Sequence, residues 1–154
     1  MSASSMMQLG RPEDFVITTE RELMDRAMQE IHRVLKPGGL AWVVELVYEG
    51  PFNDLMRLIH DEKEVRQLAF DALRTQVESG RLQLLSERFF HVPGCYPDWE
   101  SFESRFLKVT HTELDIDPAR YAVIHKTFRS HMTSDGAHFL KPHRVDLLQK
   151  PASR

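Results

Sequence analysis

A chain of 154 residues has room for one domain with its own core. With 42% hydrophobic and 28% charged residues it reads as an ordinary globular protein, and a net charge of −3 gives no electrostatic argument for nucleic acid. No apolar run reaches the roughly 18 residues that span a bilayer, no signal peptide is recognisable at the N-terminus, and the single cysteine, Cys95, suits a reducing cytoplasm.

Residues 1–12 are small and polar without a period and read as a flexible tail, leaving 13–150 as the domain. Asp14 to Thr19 reads as a short strand. Thr19 with Glu22 fits a capping box, and Leu23, Ala27, Ile31, Val34 and Leu35 then fall at helical spacing. Lys36 sits where a cation suits the helix dipole, Pro37 stops the helix, and Gly38 with Gly39 allows a tight reversal. The nine residues Leu40–Tyr48 contain one charge, Glu45. Both alternating faces are apolar, which predicts a central strand covered on both sides, as in a parallel sheet.

Glu49-Gly50-Pro51 breaks that strand, and Asn53 or Asp54 is placed to cap a helix. Apolar residues continue at helical spacing to Gly80, interrupted at Asp61–Glu64, which predicts two helices meeting there. Arg81–Val92 reads as a strand and Pro93 to Pro97 as punctuation. Asp98 and Asp117 are expected to cap two more helices, the second with Pro118 at its first position. Ser134-Asp135-Gly136 turns the chain, and Phe139-Leu140 with Val145–Leu148 is closing strand material.

Few residues here point to chemistry. Glu45 lies toward the carboxyl end of its strand, where ligands of open α/β sheets bind, and can accept a proton there; it can equally pair with Arg88 or Lys141. Tyr48 and Phe52 follow and can shape a substrate pocket or join the core. The eight histidines show no His-Glu-x-x-His pattern, and Glu113, Asp115 and Asp117 read as a solvated turn, so no metal is expected. His111, His125 and His138 are general-base candidates in principle, and Cys95 reads as incidental.

The stretch Glu30-Ile31-His32-Arg33-Val34-Leu35-Lys36-Pro37-Gly38-Gly39-Leu40 resembles the segment before the fifth strand of class I (Rossmann-like) S-adenosylmethionine-dependent methyltransferases. The resemblance covers residues 14–150 and implies an α/β fold comprising the fourth to seventh strand region of that sheet with flanking helices. Leu82–Val92 and His143–Gln149 would be its closing strands, the last one antiparallel beside the fifth. It implies S-adenosylmethionine as cofactor, a small-molecule acceptor, and Thr18 and Thr19 after the fourth strand as cofactor-pocket residues. The family's glycine-rich loop and ribose-binding acid have no counterpart in this sequence, so the expectation is half of a methyltransferase domain. A sheet without its opening strands exposes an edge, and a homodimer through that edge is expected. The alternative is a non-catalytic truncated homologue serving as a dimeric scaffold or partner subunit.

Overall fold

The computed structural model describes residues 17–109 and 114–152. In chain order it contains α1 (Ile17–Val34), β1 (Leu40–Leu46), α2 (Gly50–Ile59), α3 (Lys63–Glu78), β2 (Gln83–Tyr96), α4 (Trp99–Phe106), α5 (Pro118–Arg129), β3 (Met132–Thr133) and β4 (Gly136–Gln149). These form a mixed α/β structure with an open antiparallel four-stranded sheet in the order β1-β4-β2. The short β3 pairs with β4, Met132 opposite Ala137 and Thr133 opposite Gly136. No helix among the described residues is long and apolar enough to cross a membrane.

The described chain divides into two compact units. The first holds α1, β1 through Glu45, α3, β2 through Phe89 and β4 from Arg144. Its core is Met24, Met28, Leu68, Ala72, Leu73, Leu82 and Leu148, with α1 packed on α3. The Pro37-Gly38-Gly39 turn forms as expected. Gly38 takes φ +77, and the Gly39 amide donates to the Lys36 carbonyl at 2.7 Å. The end of β4 locks this turn: the Gly38 amide donates to the Lys150 carbonyl at 2.8 Å, and the Lys150 amide donates to the Gly39 carbonyl at 2.9 Å. The cation at the end of α1 is also Lys150 rather than the exposed Lys36. Its Nζ donates to the carbonyls of His32 and Leu35 at 2.9 and 3.0 Å.

Three expectations change in this unit. Ile17 to Thr19 belong to α1 and not to a strand, while Asp14–Val16 and the tail at 1–12 lie outside the described residues. The line of α1 that is buried runs through Met24 and Met28, one residue along from Leu23 and Ala27. Val34, counted in the apolar stripe, is 61% exposed. Finally, β1 is the end strand of the sheet among the described residues, not a central strand. Its odd-numbered face is half-buried, with Val43 against the core, but Leu40, Trp42 and Val44 are 51%, 65% and 43% exposed. Apolar residues on both faces state what a strand can bury. The described residues supply a covering layer for only one face.

The second unit holds α2, β2 from Phe90, α4, α5, β3 and β4 through His143. Its core is aromatic: Phe52, Tyr96, Phe102, Phe128 and Phe139, with Leu55, Ile59, Ile124 and Ala137. Asp98 Oδ1 accepts the Ser101 amide and Asp117 Oδ1 the Arg120 amide, each at 2.7 Å, so both expected caps form. The side chain of Arg120 donates to the Leu58 carbonyl and ties α5 to α2. Helix α2 begins at Gly50, with Glu49 at its N-cap, and the expected cap Asn53 is buried inside it. The expected break between two helices falls between Ile59 and Lys63. Strand β2 continues through Pro93 and Gly94 to Tyr96, because a proline on an end strand removes no ladder hydrogen bond if its nitrogen faces the open side.

Candidate functional site

The first unit contains a groove of about 510 Å³ beside β1. Ala27, Ile31 and Val34 of α1 form one wall, Trp42, Val44 and Glu45 of β1 another, and Arg144 of β4 contributes a guanidinium. Ala27, Ile31 and Val34, which look like core by spacing but stay accessible, are therefore groove lining. Glu45, the candidate proton acceptor, is half-buried here.

The other candidates separate. Thr18 and Thr19 lie in the first turns of α1. Tyr48 and Phe52 belong to the second unit. Tyr48 donates its hydroxyl to Asp61 Oδ1 at 2.7 Å, and that carboxylate holds the phenol above its ordinary pKa. Phe52 is a core residue, ring-stacked with Tyr96 at 6.4 Å and edge-on to Phe139 at 5.7 Å. Of the two readings kept for Phe52, the structure supports packing.

Several polar arrangements were not visible in the sequence. In the first unit Asp146 is fully buried; its Oδ2 accepts from Arg144 Nε at 3.0 Å, and Oδ1 has no partner. Burial pushes this carboxyl above the ordinary range, Arg144 pulls the other way, and Glu87 on β2 adds to the push. The Arg144 guanidinium lies 4.2 Å from the centroid of the Phe70 ring. An acid two residues from an arginine in a strand shares its face, and that was the available signal.

Because the folded Asp146 carboxyl has the higher pKa, its protonated form stabilises the fold at low pH, and that contribution is lost as pH rises through the folded value. Asp146→Asn is therefore expected to match the wild type in acid and exceed it at neutral pH by about 1–3 kcal/mol, the scale of an unsatisfied buried polar group. Urea unfolding at both pH values checks this, and a variant weaker at neutral pH contradicts it.

In the second unit Lys141 Nζ donates to Tyr96 Oη at 2.6 Å and lies 4.4 Å from the Phe52 ring centroid. On α4 and α5, Trp99 Nε1 donates to Tyr121 Oη at 3.1 Å, and Tyr121 donates to Glu103. The Tyr121 hydrogen bond, followed by that of Lys108, holds the Glu103 carboxyl below its usual range. Trp99 also packs on His125, ring centroids 4.6 Å apart, so His125 is a helix-face partner of the tryptophan. Cys95 meets two groups from β3–β4: its Sγ donates to the Asp135 carbonyl at 3.5 Å and lies 3.8 Å from His138 Nε2. His111 and Glu113 lie outside the described residues, among which no group of three His, Cys, Asp or Glu side chains is placed to hold a metal.

No protein-family model matches this chain, and no curated protein matches it.

Proposed function

We propose that this chain is a Rossmann-like S-adenosylmethionine-dependent methyltransferase or a fragment of one, resembling the C-terminal half of that domain, with a small-molecule acceptor if it is active. The observation that supports this reading is the path of the sheet. The helix that ends Arg33-Val34-Leu35 turns through Pro37-Gly38-Gly39 into β1, and the last strand, β4, lies antiparallel beside β1 with β2 on its far side. The resemblance assigns that arrangement to the family's fifth strand and two closing strands.

The residues described do not fit the cofactor. Gly50, the first residue of α2 at φ +84, is the one glycine where their strands lead into helices. Pro51 follows it and has no amide hydrogen to offer. An added Cβ at Gly50 would meet nothing within 4 Å, so no close approach depends on that glycine. No methyl-transfer step is therefore derived from these side chains. The misfit favours the second reading, a non-catalytic truncated homologue that serves as a scaffold or partner subunit.

Calorimetric titration of the purified chain with S-adenosylmethionine separates the two. The misfit predicts no saturable heat at micromolar cofactor. A micromolar isotherm would overturn the misfit and favour the enzyme reading over the scaffold.

A further inference from the structure

We infer that the open side of β1 is a docking edge for a second copy of this chain, whose own β1 adds to the sheet antiparallel about a twofold axis at Val43. The inference stands without the methyltransferase kinship, because it rests on the chemistry of the two end strands.

The sheet ends in β1 and β2 among the described residues. Natural proteins blunt exposed edges with charges and proline. Strand β2 carries Glu87, Arg88, His91 and Pro93. Strand β1 carries Leu-Ala-Trp-Val-Val-Glu-Leu, seven residues with one charge and no proline. Of the two edges, β1 is the one left open to pairing, and the apolar groove runs along it.

The strand is also complementary to itself. Val47 donates its amide to the Pro142 carbonyl of β4 at 2.9 Å. Antiparallel alternation then points the amides of Glu45, Val43 and Ala41 toward β4, and those of Leu40, Trp42 and Val44 toward the open side. A twofold axis at Val43, the midpoint of β1, overlaps the strand over its full length. It sets Trp42 opposite Val44 of the second copy as a mutual hydrogen-bonded pair on the exposed face. An aromatic facing a β-branched residue is a favourable cross-strand pair. Glu45 falls opposite Ala41, so no like charges meet.

Only three large apolar side chains, Leu40, Trp42 and Val44, are exposed along β1, far fewer than the roughly 20–30 residues a standard interface uses on each side. The dimer is therefore weak and concentration-dependent.

Size-exclusion chromatography with light scattering, from low micromolar to several hundred micromolar chain, is expected to show the mass rising from one chain to two. The double variant Trp42→Lys with Val44→Lys should associate at least tenfold more weakly, with unchanged far-UV circular dichroism. In a Cys95→Ser background, mixing Trp42→Cys with Val44→Cys should give an oxidised dimer linked from position 42 to position 44, while Trp42→Cys alone gives little. A single-chain mass at every concentration overturns the inference, whether the edge stays bare or the chain's own N-terminal segment covers it. A dimer insensitive to the two lysines, or one that never forms the 42–44 link, overturns it as well.

Discussion

Phe102→Ala is expected to lower the unfolding free energy by about 3–5 kcal/mol, the range for deleting a buried aromatic ring. Phe102 is fully buried in the second unit, and its ring meets Phe128 at 4.7 Å, Phe106 at 4.8 Å, Tyr96 at 5.3 Å and Trp99 at 5.7 Å. These neighbours come from three elements, α4 itself, α5 and β2, so no single shift of one helix can close the cavity that alanine leaves. Thermal or urea unfolding measures the loss. A change below about 1 kcal/mol, the level of a surface substitution, would mean that this cluster is not the core of the unit.

Gly136→Ala should be nearly as damaging for a different reason. Gly136 adopts φ +104 at the start of β4, a conformation that L side chains rarely take. An added Cβ would lie 2.7 Å from the Tyr96 carbonyl oxygen and 3.0 Å from the Pro97 Cα, both backbone atoms that cannot turn away. The backbone conformation and the clash together are expected to remove about 3 kcal/mol or more. Gly38→Ala is the control, since Gly38 has φ +77 with nothing within 4 Å of an added Cβ. It should lose only about 1 kcal/mol, the conformational part alone. Equal losses at the two positions would show that the close approach at Gly136 does not constrain the fold.

Local punctuation was legible in the sequence, and neighbours were not. The helix caps at Asp98 and Asp117, the Pro37-Gly38-Gly39 reversal and the break before Lys63 are written in a few adjacent residues, and each forms. Whether Leu40–Leu46 is flanked on one side or two depends on residues distant in sequence, such as those of β4, and composition carries no record of that. The same limit explains Lys150 at the end of α1, where Lys36 was the adjacent guess. Pro93 and Gly94 read as a loop because both disfavour strands in general. On an end strand the proline is tolerated, and Gly94 leaves space for Lys141, whose Cε would lie 2.7 Å from an added Cβ. At the site, the sequence singled out Glu45 for its place near a strand end, and it lines the groove. It passed over Asp146, which is fully buried, has an orphaned oxygen and is influenced by Glu87 of β2, a residue distant in sequence.

The central claim is that β1 ends the sheet among the described residues and keeps its outer side open for a second copy. Amide hydrogen exchange of β1, followed by NMR at low micromolar concentration, tests it most directly. The amides of Ala41, Val43 and Glu45 should be protected by β4, while those of Leu40, Trp42 and Val44 exchange freely and become slow as concentration rises. Protection of all six amides at the lowest concentration would contradict the account, because another strand would already occupy that side.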